Sequence, residues 1–216
     1  MKTLFIEAEY TGKIDFAKIR FSSLPKNIGL VASVQFVSSL AGLKKELEKH
    51  GRNAFIAKSS QKHPGQVLGC DASCTARLAG KVDAFIYLGD GRFHPIAVAM
   101  ETGRPVFCFN PIADVFKQLD ESDVDKYRKK KKGAFVKFLN ADTVGIIITT
   151  KPGQKAGLAE LAKLKEIYPK KKFYKFMCNN LDINQLENFP FIQAWVNTAC
   201  PRLDEDFCFA NIKDLI

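Results

Sequence analysis

The feature of this sequence that most constrains its fold is an alternation of short apolar segments with segments of helical periodicity. The apolar segments are nearly continuous, which is typical of strands covered on both faces in a parallel sheet. Each precedes a stretch with helical spacing, so the pattern predicts repeated β-α-β units. Gly51 and Gly103 then mark the ends of the first two helices. The clearest pairs are NIGLVAS with VQFVSSLAGLKKELEKHG (27–51), AFIYLGD with HPIAVAMETG (84–103), and VGIIITT with GLAELAKLKEIYP (144–169).

A polar, charged segment interrupts this alternation and predicts a domain boundary near residues 115–130. It follows the strand-like VFCFNP and reads IADVFKQLDESDVDKYRKKKKG (112–133). A second series comes after it: VGIIITT, a helix, KKFYKFMC, a short helix from Asp182, and AWVNTAC. We therefore predict an α/β protein of two tandem Rossmann-like or flavodoxin-like units with mainly parallel sheets, in residues 1–120 and 121–216.

The composition is that of a globular protein in a reducing compartment. Hydrophobic residues make up 46% of the 216 residues, and no apolar run approaches the ~18 to 20 residues of a membrane span. The start, MKTLFIEAEYTGKID, lacks the features of a signal peptide, so we expect a cytoplasmic protein with no membrane partner. The cysteines should then be reduced, and because none are spaced as CxxC, a zinc ribbon is disfavoured. The six are Cys70, Cys74, Cys108, Cys178, Cys200 and Cys208.

The formal net charge of +10 is compatible with nucleic acid, an anionic substrate or an acidic protein as partner. Much of the excess lies in two local runs, KYRKKKKGAFVK (126–137) and YPKKKFYK (168–175). Runs of this kind more often form a solvated basic face, although docking onto an acidic macromolecule stays open. Nucleic-acid binding rests on charge alone and is the least favoured class of function.

Glycine-rich and polar turns follow the predicted strands, where the ligand crevice of an open parallel sheet lies. In the first turn, Gly89 and Gly91 permit close approach of the backbone to a ligand. Asp90 offers an acceptor and His94 begins the next helix. A tight turn with a capping Asp is an equally good interpretation of these residues. The three turns are LGDGRFHP (88–95), TTKPGQK (149–155) and TACPRLDED (198–206).

Two cysteines, Cys70 and Cys200, both follow apolar runs and enter loops at this presumed ligand-binding edge. A lone cysteine in either place is more often a small buried hydrophobic residue. The pair, in different units, favours a shared metal site, and we predict that the two converge in space. Cys108 and Cys178 lie within strand-like runs, so we expect them to be structural.

Several motifs together resemble the diphthamide synthases, the archaeal 2-(3-amino-3-carboxypropyl)histidine synthase group. Their matches run in the family's order from about Ile6 to Asp206. The segment IGLVASVQFVSSLAGLKKELEKHG (28–51) resembles the start of that family's middle domain. The specific motifs are GQVLGC (65–70), DAFIYLGDGRFHP (83–95), TKPGQK (150–155) and AWVNTACPRL (194–203).

The resemblance implies a radical enzyme of three related α/β domains, each giving one cysteine to a 4Fe-4S cluster. Three thiolates leave one iron open for the methionyl group of S-adenosylmethionine. In that family the reduced cluster breaks the bond from sulfur to the methionine Cγ. The resulting 3-amino-3-carboxypropyl group is transferred to a histidine of elongation factor 2. Here Cys70 matches the middle-domain ligand and Cys200 the last-domain ligand.

The sequence departs from the family pattern at its beginning, where TLFIEAEY resembles the end of a first domain that is otherwise missing together with its cysteine. Smaller departures are Asn110 in place of the usual Asp, and Asp204-Glu205 after CPRL, while Asp206 keeps an acidic position. Three explanations stay open. A second polypeptide supplies the third thiolate, Cys74 supplies it if Asp71 begins a helix that places it beside Cys70, or the cluster is absent.

The resemblance also predicts a cofactor site and partners. We expect a homo- or hetero-oligomer that acts on elongation factor 2, with S-adenosylmethionine bound at the turns after the strands. A non-catalytic accessory subunit, or a protein that binds S-adenosylmethionine or a nucleotide without a cluster, is the alternative. The expected cofactor contacts are Gln66, Gly89, Asp90, Gly91, His94, Thr150, Gly153, Gln154 and Asp206.

Overall fold

The computed structural model describes residues 4, 6–56, 61–151, 158–201, 203 and 207–216. The chain divides into two compact units, Met1–Asp125 and Lys126–Ile216. Within the described residues, no helix combines the length and the apolar character needed to cross a lipid bilayer.

The first unit is built on a five-stranded sheet in the order β2-β1-β3-β4-β5. Strands β1 to β4 are parallel, and β5 pairs with β4 in the antiparallel direction. The strands are β1 (Asn27–Ala32), β2 (Asn53–Ile56), β3 (Ala84–Leu88), β4 (Val106–Asn110) and β5 (Val115–Gln118). The helices are α1 (Leu40–Lys49), α2 (Ser73–Ala76) and α3 (Phe93–Thr102).

Both faces of this sheet are covered, as the continuous apolar runs predicted. In β3, Ile86 and Leu88 belong to one hydrophobic cluster, whereas Phe85 and Tyr87 belong to the other. Every residue of β3 is buried, because successive side chains point to opposite faces of a covered sheet. The sheet therefore forms the centre of the first unit.

The second unit has a four-stranded parallel sheet in the order β7-β6-β8-β9. Its core likewise has two sides, with Ile146 in one cluster and Ile147 in the other. In both units the first strand lies between the second and the third, so the two share a doubly wound order. Helix α4 (Glu121–Asn140) begins in the first unit and continues into the second. The other elements are β6 (Thr143–Thr149), α5 (Leu158–Ile167), β7 (Lys172–Cys178), β8 (Ala194–Asn197) and β9 (Ala210–Asn211).

The predicted helix ends are confirmed, and the charged segment proposed as a domain boundary is itself made of regular elements. Helices α1 and α3 end before Gly51 and Gly103, whose φ angles are 71° and 63°. Residues Val34–Ser39 form a 3-10 turn, so α1 begins later than its periodicity suggested. The charged segment contains β5 and the 20-residue helix α4. That helix buries Val124, Ala134 and Phe138, so it has apolar contacts. These are hard to recognise in the sequence because lysines surround them.

Candidate functional site

The loop that carries Cys70 is fixed to the carboxyl end of β1. The Ala32 N–H donates to the Gly65 carbonyl, and the Val67 N–H donates to the Ala32 carbonyl, both at 3.0 Å. These bonds continue the strand pairing with Gln66 opposite Ala32. The loop therefore lies at the edge of the sheet where the crevice of such folds is found.

Cys70 lies at the tip of a tight turn and is exposed to solvent. Leu68 and Asp71 exchange both of their backbone hydrogen bonds, at 2.9 and 3.0 Å, so that Gly69 and Cys70 form the tip. The Asp71 carboxylate accepts from the Ser73 N–H at 3.0 Å and from Gln61 Nε2 at 2.6 Å. The turn is thereby fixed by its own backbone and by one carboxylate.

The same turn contacts the glycine-rich motif that follows β3. A Cβ placed on Gly69 would lie 1.7 Å from Cε1 of Phe93, the first residue of α3. The Phe93 ring therefore covers Gly69, and only a residue without a side chain fits beneath it. The structure thus brings together two of the sequence motifs, the Cys70 turn and LGDGRFHP.

Gly89 is required where β3 turns into that motif. Its φ is 151°, and a Cβ there would lie 2.6 Å from the Tyr87 hydroxyl. The Tyr87 hydroxyl donates to the Asp90 carbonyl at 3.2 Å, and the His94 ring stacks on the Tyr87 ring with centroids 5.7 Å apart. Burial raises the pKa of Tyr87 well above its usual range, so the hydroxyl stays protonated.

The carboxylate of Asp90 is held by Asn110 at the end of β4. Asn110 Nδ2 donates to Asp90 Oδ1 at 2.7 Å, while Asn110 Oδ1 accepts from the Ile112 and Ala113 N–H groups at 2.9 and 3.1 Å. An ionised Asp at position 110 could accept from the backbone but could not donate to Asp90. Asn110, where the family usually has Asp, therefore supplies a side-chain hydrogen bond that joins the end of β4 to the turn after β3.

Gln66, a predicted cofactor contact, is largely buried, and its side chain already has a backbone partner. Only 7% of the residue is exposed, and its Oε1 accepts from the His63 N–H at 3.2 Å. The acceptor end of this amide therefore shapes the loop that carries Cys70.

Cys74 does not lie beside Cys70 on one helix face, because α2 begins at Ser73 and Asp71 belongs to the preceding turn. Cys74 is 2% exposed and packs in a hydrophobic cluster with Val67. Its thiol donates to the Gln66 carbonyl over 3.8 Å. The proposed ligand role of Cys74 required a helix that begins at Asp71, and the observed helix begins two residues later.

In the second unit, Cys200 is partly buried in the loop after β8. Asn197 Nδ2 donates to the Cys200 carbonyl at 2.9 Å, and the Thr198 hydroxyl donates to the Ile147 carbonyl at 2.7 Å. The hydroxyl of Thr150, the residue that follows β6, donates to Asn179 Oδ1. Three other predicted cofactor contacts lie outside the described residues: Gly153, Gln154 and Asp206.

Cys108 and Cys178 lie in strands, as their sequence context predicted. Burial raises the pKa of the Cys108 thiol to about 12. The thiolate is the form of cysteine that acts as a nucleophile or binds metal. Because burial keeps Cys108 protonated near neutral pH, this residue is inert there.

Cys70 and Cys200 each suit a cluster ligand in chemistry and position. Both offer a soft sulfur donor in a loop that follows or pairs with a strand end, and neither is fully buried. A complete ligand set is not found: within the part of the chain that the structure describes, no three or more His, Cys, Asp or Glu side chains form a group that could hold a metal ion.

The fold and these loops define a class of protein: a tandem, doubly wound α/β protein with a cysteine-bearing loop in each unit. Residues 1–208 match the sequence family of diphthamide synthesis proteins. The chain belongs to that family.

Relatives in this family are named as synthases. The 2-(3-amino-3-carboxypropyl)histidine synthase of Pyrococcus horikoshii is 29% identical over 187 residues, covering 85% of this chain and 52% of the relative. Subunit 1 of the synthase from Caenorhabditis elegans is 32% identical over 200 residues, covering 90% of this chain and 49% of the relative. The chain therefore spans about half the length of the curated relatives it matches.

A solved structure in the same family has the same fold. Dph2 from Pyrococcus horikoshii, crystallised with a 4Fe-4S cluster, superposes with a TM-score of 0.76 at 27% identity. The match covers 89% of this chain and 57% of the Dph2 chain. The predicted α/β fold with two mainly parallel sheets is confirmed by this similarity.

Proposed function

We propose that this chain takes part in the first step of diphthamide biosynthesis. In that step a 3-amino-3-carboxypropyl group passes from S-adenosylmethionine to a histidine of elongation factor 2. The observation that carries the proposal is the family match over residues 1–208, which includes both cysteine-bearing loops. The similarity to a protein crystallised with a 4Fe-4S cluster supports a cluster as the cofactor.

Cys70 and Cys200 are the proposed cluster ligands in this chain. Exposure of Cys70 at a turn tip makes its sulfur accessible, and the partly buried Cys200 follows the end of a parallel strand. When bound and reduced, such a cluster supplies the electron that breaks the bond between sulfur and Cγ of S-adenosylmethionine. The residues of the chain hold the cluster and orient the cofactor.

The turns at the carboxyl ends of the strands are the proposed S-adenosylmethionine contacts. The Gly89 N–H donates to the Phe109 carbonyl at 3.0 Å, so Gly89 fixes the turn, while the exposed Gly91, with a φ of 76°, lets the backbone approach a ligand. The aromatic ring of His94 offers a flat surface. Asp90, with one oxygen bonded to Asn110, is exposed and suits a hydroxyl or an ammonium group. The remaining proposed contacts are Gln66, Thr150, Gly153, Gln154 and Asp206.

A second polypeptide is the proposed source of the third thiolate, so that the active enzyme is an oligomer. A 4Fe-4S cluster that leaves one iron open for S-adenosylmethionine needs three protein thiolates. Cys70 and Cys200 supply two, and the burial of Cys74 makes it a poor local substitute.

Anaerobic reconstitution with iron and sulfide, followed by counting iron per chain, tests this proposal. With the Pyrococcus horikoshii synthase as the partner probe, Cys70→Ala and Cys200→Ala should each lower the iron retained by the chain. The strand variant Cys178→Ala is the matched control and should retain it. A full cluster on the isolated chain that cleaves S-adenosylmethionine and survives Cys74→Ala would contradict the split-enzyme proposal, whereas loss of iron in Cys74→Ala would favour a local third ligand.

Titration calorimetry with S-adenosylmethionine and with methylthioadenosine tests the cofactor site separately. Asp90→Ala should weaken binding about tenfold or more, the effect expected when a hydrogen bond to a charged group is lost. Lack of binding of either compound to the reconstituted chain would count against the site.

A non-catalytic accessory subunit is the second candidate function. It is favoured by the donor set, because the two exposed or partly exposed candidate cysteines belong to different units and Cys74 is buried. A colourless chain that binds S-adenosylmethionine, or that pairs with the synthase without acquiring iron, would support this alternative. A reconstituted chain of the proposed kind instead absorbs broadly near about 400 nm.

A further inference from the structure

The side chain of Asn197 closes the start of the loop that carries Cys200. Asn197 is the last residue of β8 and is 1% exposed. Its Nδ2 donates to the Cys200 carbonyl at 2.9 Å, and its Oδ1 accepts from the Ala199 N–H at 2.8 Å. Both the amide nitrogen and the amide oxygen of Asn197 therefore form hydrogen bonds to the loop that follows β8.

The same amide also connects the loop to the neighbouring strand. Asn197 faces Asn211 of β9 in the strand register, and its Nδ2 lies 3.3 Å from Asn211 Oδ1. Asn211 is 8% exposed, so this contact is shielded from water. The orientation of the Asn197 amide is thus set by a strand outside the loop.

We infer that Asn197 is a positioning residue that holds the backbone of Ala199 and Cys200 in one conformation and thereby controls the accessibility of the Cys200 thiol. The amide is suited to this because it donates and accepts at once. An Asp in its place keeps the acceptor for Ala199 but cannot donate to the Cys200 carbonyl while ionised. The role as a positioner of a cluster ligand rests on the proposed function, whereas control of the thiol does not.

Thiol reactivity measures this role without any cluster. The rate at which iodoacetamide modifies Cys200, followed by mass spectrometry of its peptide, should rise about tenfold in Asn197→Asp, because the buried hydrogen bond that closes the loop is lost. The rate at Cys70 in the same molecule should not change, which makes Cys70 an internal reference.

Thr198→Val is the matched control variant. Thr198 is 6% exposed and donates a buried hydrogen bond to Ile147, but that bond does not reach Cys200. The variant should lower the melting temperature while leaving the Cys200 rate within about twofold of the wild type. Equal Cys200 rates in Asn197→Asp and Thr198→Val would overturn the inference, because reactivity would then follow stability alone.

Asn211→Ala tests the positioning role of Asn197 if Asn197→Asp does not fold. It removes the partner that orients the Asn197 amide and leaves both bonds to the loop possible, so the Cys200 rate should rise more than in Thr198→Val. A rise no greater than in Thr198→Val would overturn the inference. Iron retention measured on the same variants separates the two proposals: a wild-type chain that never retains iron contradicts the ligand role of Cys200, while the alkylation rates still test Asn197.

Discussion

Gly69 determines, at the scale of a single residue, how closely the Phe93 ring approaches the Cys70 turn. In Gly69→Ala the new Cβ would overlap the ring, which must move. We expect the free energy of unfolding to fall by about 1–3 kcal/mol, as for other overpacked positions, and the Cys70 alkylation rate to change. Urea denaturation and peptide mass spectrometry measure the two effects.

Gly133→Ala is the control for that substitution. Gly133 lies within α4, and a Cβ there would meet no heavy atom within 4 Å beyond the local helix backbone, so alanine should stabilise the chain by about 0.5–1 kcal/mol. The double variant Gly69→Ala/Phe93→Ala should recover the part of the loss that comes from overlap. Unchanged stability in Gly69→Ala alone would show that the Phe93 ring yields without cost.

Because of Cys108, the stability of the chain should depend on pH in the alkaline range. Its ordinary pKa is 9.0, and burial raises the value in the folded chain to about 12. From pH 9 to about 12 the unfolded chain loses this proton and the folded chain keeps it, so the contribution of Cys108 to stability is present below pH 9 and is lost as the pH rises through that window.

Replacing the thiol should remove this dependence. Each group of this kind contributes a slope of up to about 1.4 kcal/mol per pH unit. The free energies of unfolding of the wild type and of Cys108→Val, measured with urea, should therefore differ by a constant amount near pH 7. Above pH 9 the wild type should lose stability faster than the variant. Parallel curves throughout would contradict the shift in pKa.

Local chemistry allowed part of the site to be predicted from sequence. The Cys70 loop and the turn after β3 could be placed at one edge because parallel strands end there, and the contact of Gly69 with Phe93 joins their motifs. The bond from Asn110 to Asp90 could not be anticipated, since it joins residues 20 positions apart through side chains. The burial of Cys74 depended on where a four-residue helix begins.

At the scale of elements, α4 ends in a cap that is supplied from outside the helix. Lys171 Nζ donates to the Leu139 carbonyl at 2.8 Å and to the Ala141 carbonyl, and it lies 5.1 Å from the Phe138 ring centroid. A cation at this end of a helix neutralises its partial negative charge and satisfies carbonyls that lack helical partners.

Removing this cap should weaken the second unit. Lys171→Met should lower the free energy of unfolding by about 1–2 kcal/mol, in the range for hydrogen bonds to a charged group. Lys170→Met, at the exposed neighbouring position, should change it by less than about 0.5 kcal/mol. Chemical denaturation monitored by circular dichroism compares the two. Equal effects would show that general charge, rather than the cap, stabilises α4.

Elements with a strong apolar period could be predicted from sequence, and those that depend on pairing could not. Strands β3 and β6 are apolar runs of their own. Strand β5 has the polar sequence VFKQ and β9 has two residues, so both depend on the neighbouring strand for their extended conformation. Helix α4 was obscured by its lysines because its apolar contacts are widely spaced.

For the molecule as a whole, the first residues carry exposed apolar side chains on a segment that is itself attached to the first unit. Tyr10 donates its N–H to the Gln35 carbonyl at 2.9 Å. Glu7 pairs with His63 at 3.0 Å, and hydrogen bonding from that ring lowers the pKa of Glu7. Leu4 and Ile6 are nevertheless each 82% exposed. Two exposed apolar side chains this close together are candidates for a surface that binds another protein.

The double variant Leu4→Ser/Ile6→Ser tests whether this segment mediates the proposed assembly. Because both side chains are mostly exposed, the melting temperature should stay within about 2 °C of the wild type. Without its partner, the wild-type chain should self-associate through these residues, and the variant should do so about tenfold more weakly, as expected when apolar area is no longer buried. Sedimentation equilibrium measures the difference. Met177→Ser, at a position 71% exposed on β7 of the second unit, is the control and should leave self-association unchanged. An unaltered dissociation constant in the double variant would place the interface elsewhere on the molecule.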